Sequence, residues 1–450
     1  MMEVKGKKIS VIGAARSGIG AAKLIKKLGG IPFVSDFSPK EKLKESLNQL
    51  EKENINYEFG GHSDRVYDSA WMIISPGVPN DSAVLNNARG KGIKLISEIE
   101  FAYHYCKGKI IAVTGTNGKT TTTSLCGHVF NTCGYKTHVA GNIGLAFSEI
   151  VLDVKEGEFV SLEVSSFQLD LIENFKPDTA LILNITPDHL NRYENSLQKY
   201  SESKQRIYEN QDEKDYLVLN KDNQAVIKYL VDHKSKSFFF SLNELQNNGC
   251  FYSEGNVIFK LNGKETFRCL RNDIKIRGEH NLANAMAVIC AAKAYNLDNE
   301  GIIKGLQTFE SVEHRLELVR EIDGVKYVND SKATNVDSVW YAIKSFDEPI
   351  LLILGGQDKG NDYQQIKPLV LQKVKKIYAI GSSAEKVYNF FNQDVKVEVV
   401  KSMEEAVKSS SKEAKSGDVV LLSPACASFD MFNNYEHRGK VFKEAVNNLK

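Results

Sequence analysis

The sequence predicts an α/β protein of three domains built on parallel sheets. Apolar runs of strand length alternate with helix-like segments along most of the 450 residues. This alternation is typical of parallel strands that are joined by helices. Polar or glycine-rich turns follow the apolar runs, and the length corresponds to about three domains of ordinary size.

The first strands lie in residues 8–96 and read KISVIG, IPFVSD, AWMIIS and IKLI. The glycine-rich turn from Gly13 to Gly20 opens a helix, and Asp36 ends the second strand, where dinucleotide-binding folds carry a ribose-binding acid. Ala15 interrupts the G-x-G-x-x-G spacing, which disfavours an NAD-dependent oxidoreductase. Two interpretations stay open: a packing turn in which Ser17 caps the helix, or an edge that holds a nucleotide-like ligand. We expect a Rossmann-like domain over residues 1–97.

The second region contains the most informative stretch, IIAVTGTNGKTTTT over residues 110–123. An apolar strand, Ile110 to Val113, breaks into the loop Gly115 to Lys119, and a helix is predicted through Phe130. Backbone N–H groups and the helix dipole converge on phosphate at such a turn, while Lys119 adds a charge and Thr120 reaches Mg²⁺. An ordinary strand-to-helix turn and a nucleotide-dependent regulatory protein are the alternatives to an ATP-using enzyme. We expect a P-loop-type ATPase domain over residues 98–310.

Polar side chains follow later strands of this domain. Glu163 ends the run EFVSLEV. Polar residues cluster at the end of the run TALILNI, namely Asn184, Thr186, Asp188 and His189. The ends of parallel strands collect ligands, and a carboxylate and an imidazole there could hold one or two Mg²⁺ ions. The alternatives are a helix N-terminal charge for Glu163 and a loop histidine with ordinary hydrogen bonds for His189. Composition alone predicts that Lys204 is a solvated helix lysine.

The third region alternates again and places polar turns after three strands. The turns are Asp330 to Asn335, Gly355 to Gly360 and Ser423 to Asp430. Their lysines could hold a carboxylate ligand and stabilise charge on a transferring phosphate, although plain polar loops are the alternative. Cys426 is predicted to be a small buried thiol. We expect a second Rossmann-like α/β domain over residues 311–450.

The bulk composition excludes several classes of protein. A net charge of +1 disfavours a nucleic-acid or membrane-surface partner. The apolar runs are too short for a membrane span, and no signal-peptide pattern precedes the first strand. The seven cysteines form no C-x-x-C pair, which indicates reduced thiols and a cytoplasmic location. We expect a monomer.

Nine motifs together resemble one family. They are GTNGKTTT, LEVSSFQL, NITPDHLNRY, SKQRIYEN, GEHNLANAMA, EHRLE, NDSKATN, GGQDKG and SPACASFD. In this order they resemble the Mur ligases of peptidoglycan synthesis over essentially the whole chain. GGQDKG and SPACASFD favour the members that add D-glutamate to UDP-N-acetylmuramoyl-L-alanine through an acyl phosphate, at the expense of ATP. A Mur-type ligase that adds a different amino acid to a UDP-muramoyl substrate is the alternative.

The resemblance also implies roles for matched residues. ATP and two Mg²⁺ ions are implied, with His189 and a carbamylated Lys204 supporting the second ion. The residues implied in catalysis or metal binding are Lys119, Thr120, Glu163, His189 and Lys204. Those implied in ATP binding are Gly115, Thr116, Asn117, Gly118, Lys119, Thr120, Thr121, Asn281, Arg315 and Asp330. Those implied on the UDP-sugar side are Ser17, Asp36, Ser75, Gly77 and Asn142, and those implied in the D-glutamate pocket are Lys332, Thr334, Lys359, Ser423 and Phe429.

Overall fold

A computed structural model describes residues 2–310 and 312–449 of the chain. The outer limits of the predicted domains, residues 1, 311 and 450, lie outside these residues. The chain divides into two compact units: Met1–Lys275 with Ala283–Phe309, and Ile276–Leu282 with Glu310–Lys450. The predicted α/β class with parallel-dominated sheets is confirmed.

The first sheet belongs to the first unit and has the strand order β3-β2-β1-β4-β5, with every pair parallel. The order reverses between β1 and β4, and such a reversal is where open α/β sheets bind ligands. Apart from β3, these strands match the predicted runs. The elements are β1 (Lys8–Ile12), α1 (Arg16–Lys27), β2 (Ile31–Asp36), α2 (Lys44–Lys52), β3 (Asn56–Phe59), β4 (Trp71–Ile74), α3 (Ala83–Gly90), β5 (Lys94–Ser97) and α4 (Glu98–Tyr103).

The second sheet, also in the first unit, has the order β14-β13-β12-β11-β10-β9-β6-β8-β7. It is parallel as far as β12, and β12 to β14 form an antiparallel excursion at its edge. Its elements are β6 (Lys109–Thr114), α5 (Lys119–Thr132), β7 (Thr137–Gly141), α6 (Phe147–Ile150), β8 (Phe159–Glu163), α7 (Ser166–Leu169), β9 (Thr179–Ile182), α8 (Leu197–Gln205), β10 (Tyr216–Asn220), α9 (Gln224–Lys228), β11 (Lys236–Ser241), β12 (Gly249–Ser253), β13 (Asn256–Leu261), β14 (Lys264–Leu270), α10 (Glu279–Ala294) and α11 (Asn299–Thr308).

The third sheet lies in the second unit and has the order β15-β16-β20-β17-β18-β19, parallel except for the β15–β16 hairpin. Buried apolar side chains cover both faces, with Ile343 on one side and Phe442 on the other. Its elements are β15 (Glu317–Ile322), β16 (Val325–Asn329), α12 (Val336–Lys344), β17 (Ile350–Gly355), α13 (Lys367–Lys373), β18 (Val374–Ile380), α14 (Ala384–Phe391), β19 (Lys396–Val399), α15 (Met403–Glu413), β20 (Val419–Leu422) and α16 (Tyr435–Asn447).

Two further expectations bear on the class of protein. Among the described residues, no helix combines the length and the apolar character that a membrane crossing requires. All seven cysteines are free thiols, and Cys426 is buried as expected.

Candidate active site

The predicted phosphate loop joins β6 to α5. Gly118 precedes the first residue of α5 with φ 85°, in the left-handed region. A Cβ at Gly118 would lie 2.5 Å from the Asn284 Oδ1 atom, so both the backbone conformation and the space require glycine. The α5 N-terminus therefore presents its first N–H groups beside Lys119, Thr120 and Thr121, which is the arrangement that binds phosphate.

The segment after β9 holds this loop in shape. The Asn117 N–H donates to Asn184 Oδ1 over 2.8 Å, and the Thr116 N–H donates to the Asn184 carbonyl over 2.9 Å. The Thr186 N–H donates to Thr116 Oγ1 over 3.0 Å. Asn184 and Thr186, which the sequence placed among the polar residues at the strand end, therefore shape the loop from a neighbouring strand.

Two lysines meet at the first glycine of the loop. The Nζ atoms of Lys119 and Lys204 each donate to the Gly115 carbonyl over 2.9 Å. Lys204 is 1% exposed and lies over the Tyr200 ring, 4.6 Å from its centre. Burial first, and then the charge of Lys119, lower the pKa of Lys204 well below its usual range. The prediction from composition that Lys204 is solvated is wrong, because tertiary packing places it beside the phosphate loop.

Glu163 ends β8 next to this loop, since it pairs in register with Val113 of β6. The side chain is 1% exposed, and its Oε1 atom accepts a hydrogen bond from Asn142 Nδ2 over 3.3 Å. Its Oε2 atom is buried and has no hydrogen-bond partner within the described parts of the chain. A buried carboxylate oxygen in this condition is costly unless a ligand satisfies it.

His189 lies in the loop after β9, with φ 53° in the left-handed region. Its Nε2 atom is 3.8 Å from Asp188 Oδ2, and its ring packs against Phe167 at 5.2 Å. A cavity of about 270 Å³ brings several of the predicted residues together, although Glu163 and Thr120 are not part of its lining. It is lined by Pro76, Gly77, Thr116, Lys119, Asn142, Ser165, Ser166, Phe167, Asp188, His189, Tyr200 and Lys204.

The point where the strand order of the first sheet reverses, between β1 and β4, lies in the same unit as the phosphate loop. The Asp36 carboxylate accepts hydrogen bonds from the Ala14 and Ser38 N–H groups, each over 2.7 Å. The Ser75 hydroxyl donates to the Gly13 carbonyl over 3.1 Å. The alternative role of Ser17 as a helix cap is wrong, because α1 begins at Arg16 after Ala15; Ser17 is half-buried in the first turn.

The second unit holds another polar group at the ends of β16 and β20. Asp330 is 3% exposed, and its carboxylate accepts hydrogen bonds from the Ser423 hydroxyl over 2.9 Å and the Leu316 N–H over 3.3 Å. Burial raises the pKa of Asp330 to about 6, although the nearby Arg315 favours its ionised form. Asn281 belongs to this unit as well, and its amide donates to the Arg277 carbonyl over 2.8 Å.

The remaining predicted residues of the second unit differ in exposure. Lys332 is half-buried, with Nζ 5.1 Å from the centre of the Tyr435 ring, and Thr334 is half-buried near the start of α12. Lys359 and Phe429 are exposed. Lys359 and Phe429 are therefore accessible to a ligand, whereas the Ser423 hydroxyl donates its hydrogen bond to Asp330.

Two buried side chains near these groups, Tyr200 and Arg438, were not predicted from the sequence. Tyr200 lies one helical turn before Lys204 in α8, so their spacing was a usable signal that they share a face. Arg438 in α16 is 1% exposed and donates to Ser331 Oγ over 3.0 Å, to the Ser331 carbonyl over 2.7 Å and to the Cys426 carbonyl over 3.1 Å. It joins the turns that carry Lys332 and Ser423, and nothing local distinguishes it from a surface arginine.

The donor set in the first unit fits a nucleotide and Mg²⁺. The unsatisfied Glu163 oxygen and the Thr120 hydroxyl are the hard oxygen donors that Mg²⁺ prefers. The phosphate loop supplies N–H groups and the charge of Lys119 for an anion. Unmodified Lys204 does not fit Mg²⁺, because an ammonium would repel the ion and a neutral amine nitrogen is not the hard oxygen donor that Mg²⁺ prefers.

Three family models match the sequence: the MurD N-terminal domain over residues 8–84, the Mur ligase middle domain over 113–292, and the Mur ligase glutamate ligase domain over 314–426. The chain is 44% identical over 464 residues to the UDP-N-acetylmuramoylalanine–D-glutamate ligase of Chloroherpeton thalassium, covering 99% of each chain. It is 42% identical to the ligase of the same name from Salinibacter ruber, again covering 99% of each.

A solved structure shares the fold. The UDP-N-acetylmuramate-alanine ligase of Thermotoga maritima superposes with a TM-score of 0.65 at 20% identity, over 99% of this chain and 100% of that one. At 20% identity this similarity shows only the shared fold. The full-length relatives above 40% identity show the family. The chain therefore belongs to the Mur ligase family, in the group of the UDP-N-acetylmuramoylalanine–D-glutamate ligases.

Proposed function

We propose that this chain uses ATP to join the carboxyl group of UDP-N-acetylmuramoyl-L-alanine to the amine of D-glutamate. The observation that carries the proposal is the cavity that unites Lys119, His189 and Lys204 with Gly77 of the N-terminal sheet. Such a cavity gives one substrate access to both the phosphate loop and the reversal point of the first sheet. The printed names of the full-length relatives support the choice of substrates.

The proposed reaction has two steps. The γ-phosphoryl group of ATP moves to the substrate carboxylate, which gives an acyl phosphate and ADP. The D-glutamate nitrogen then attacks the acyl carbon, the bond to the phosphate oxygen breaks, and phosphate and a proton leave as the amide forms. Catalysis of this kind depends mostly on positioning and on neutralising crowded negative charge.

The phosphate loop is proposed to position the phosphates of ATP. We assign Gly115, Thr116, Asn117, Gly118 and Thr121 to the ATP phosphates through backbone and hydroxyl donors, and Lys119 to charge on the transferring group. When bound, Mg²⁺ offsets phosphate charge, and we propose Thr120, Glu163, His189 and modified Lys204 as the residues that hold it. The unsatisfied Oε2 atom of Glu163 supports its part in this assignment.

We also propose that Lys204 is carbamylated. A neutral amine can add CO₂, forming an N–C bond and releasing one proton, and the product is an anion with two oxygens. The burial of Lys204 and its position beside Lys119 favour the neutral amine. The carbamate would convert a group that repels a metal ion into an oxygen donor of the type that Mg²⁺ prefers.

The other assignments rest on the resemblance and on where each residue lies. On the UDP-sugar side we assign Ser17, Asp36, Ser75, Gly77 and Asn142, of which Gly77 and Asn142 line the cavity. To ATP we assign Asn281, Arg315 and Asp330, and to D-glutamate Lys332, Thr334, Lys359, Ser423 and Phe429. The domain limits near residues 97 and 310, the monomeric state and the cytoplasmic location stay predictions.

The decisive experiment is ADP release by the purified chain with ATP and Mg²⁺. We expect release to require both UDP-N-acetylmuramoyl-L-alanine and D-glutamate, with L-glutamate inactive. A panel of other amino acids separates the alternative, a Mur-type ligase with a different acceptor. ADP release that is slow and independent of the UDP substrate and of every amino acid would contradict the proposal.

A further inference from the structure

Arg192 follows His189 in the motif DHLNRY and has no role in the assignments above. The left-handed backbone of His189 begins a short 3₁₀ turn over Leu190–Arg192, in which the Arg192 N–H donates to the His189 carbonyl over 3.0 Å. The turn directs the guanidinium to another part of the unit. Nη1 donates to the Pro76 carbonyl over 3.0 Å, and Nη2 donates to the Gly77 carbonyl over 3.2 Å.

The same guanidinium lies against Phe167, with Cζ 4.1 Å from the ring centre. Phe167 in turn packs edge-on against the His189 ring at 5.2 Å. Pro76, Gly77, Phe167 and His189 all line the cavity of the candidate active site. Arg192 is not part of the cavity lining, but it contacts residues of two cavity walls. One wall follows β4 of the first sheet, and the other follows β8 of the second sheet.

The chemistry of arginine suits this task. Its guanidinium is rigid and planar, so two edge donors and one stacked face restrain it relative to both walls. The negative face of the Phe167 ring attracts the cation that lies over it. Lysine has neither the fork nor the plane, so it cannot hold the two carbonyls and the ring in one fixed geometry.

We propose that Arg192 is a positioning residue that fixes the separation between the Pro76–Gly77 wall, where the UDP-sugar is expected to bind, and the phosphate-loop side, where its carboxylate reacts. This inference rests on the proposed function. A substrate that is held at one end reaches the reacting geometry only when the two walls keep their spacing. A misplacement of about 1 Å can cost about 10²-fold in rate.

The test uses Arg192→Met, which keeps an apolar stem beside Phe167 but loses the donors, and Arg192→Lys, which keeps a charge. Arg89→Met is the matched control, because the exposed Arg89 donates to the Asn80 carbonyl over 2.7 Å, just beyond this loop and outside the cavity lining. We expect the methionine variant to raise the KM for UDP-N-acetylmuramoyl-L-alanine and to lower kcat, each by about tenfold. The KM for ATP and the affinity for UDP alone should change less than twofold.

The lysine variant should fall between wild type and Arg192→Met, and the control should match wild type. The inference is overturned if Arg192→Met keeps both constants within twofold of wild type. It is also overturned if the variant raises the KM for all substrates alike together with a lower melting temperature, or if Arg89→Met gives the same defect. Failure of the proposed function would appear separately, as wild-type protein without D-glutamate-dependent ADP release.

Discussion

Replacement of Lys204 tests the residue whose burial in the structure differs most from the solvated lysine that composition predicts. In Lys204→Met the side chain keeps most of its volume but loses the amine, and Lys204→Ala leaves space beside Gly115. The lowered pKa of Lys204 favours the neutral amine, so the lost hydrogen bond to the Gly115 carbonyl is worth about 0.5–1.5 kcal/mol. The Gly115 carbonyl keeps its hydrogen bond from Lys119, and methionine keeps most of the apolar packing of the lysine stem. We therefore expect Lys204→Met to lower the free energy of unfolding by no more than about 2 kcal/mol.

Activity should change far more than stability. If a carbamate on Lys204 stabilises charge in the transition state, its loss should cost about as much as one oxyanion donor, roughly 3–4 kcal/mol or 10²–10³-fold in kcat. ADP release dependent on D-glutamate measures this loss. Lys199→Met is the matched control, because Lys199 lies on the same helix, is exposed and pairs with Glu194. This variant should retain wild-type turnover.

Chemical rescue separates a carbamate from a cation. Acetate or formate added to Lys204→Ala should restore part of the activity by placing a carboxylate in the vacated space, while methylamine should not. Wild-type turnover by Lys204→Met would refute a catalytic role altogether. Rescue by methylamine and none by acetate would refute the carbamate, since the residue would then act as an ammonium ion.

Three further predictions concern single residues. Lys119→Ala should lower kcat at least 10²-fold with little change in melting temperature, because Asn184 and Thr186 still hold the loop; near-normal turnover would contradict the assignment. Gly118→Ala should abolish ATP binding in calorimetry, since its Cβ would lie 2.5 Å from Asn284 Oδ1 at φ 85°. Glu100, 1% exposed, is a pH-sensitive group. Burial alone would raise its pKa, but hydrogen bonds from His104 and three backbone N–H groups lower it from 4.5 to about 2. A carboxyl group whose pKa is lowered in the folded state stabilises the fold above pH 4.5, and this stabilisation is lost as the pH falls toward 2. In urea unfolding, Glu100→Gln should therefore be about 3 kcal/mol less stable than wild type at pH 7 and nearly as stable as wild type at pH 2.

The fold could be predicted because each strand carries its own local pattern. Buried parallel strands such as ILLILG are continuous apolar runs, and most of these runs became strands at the expected places. Two of the missed strands, β3 and β15, lack this pattern. In β3, NYEF, none of the four residues is fully buried, and β15, ELVREI, alternates in an edge hairpin with charged residues. Edge strands bury little surface, so their sequences carry little of the signal.

The candidate site could be predicted where chemistry coincides with the end of a strand. Glu163 and His189 were predicted in this way, since the carboxyl ends of parallel strands meet at one edge of the sheet. Asn184 was placed in the same group, but its hydrogen bonds to Asn117 and Thr116 serve the loop. A residue that binds a ligand and a residue that supports the loop can be of the same type and follow a strand at the same position. Only the contacts of the side chain in the folded protein distinguish these two roles.

Long-range packing explains what the sequence could not give. Lys204 lies in a helix of mixed polarity, and a lysine in such a helix is normally solvated; its burial arises because α8 packs against the phosphate loop, 89 residues earlier in the chain. Arg192 is hidden for the same reason, since its partners at Pro76 and Gly77 lie 116 and 115 residues away. Charged residues of this kind are costly to bury or restrain, so they persist in a marginally stable fold chiefly where a function depends on them. Lys204 and Arg192 are therefore two basic residues at which we expect substitution to affect the reaction more than the fold.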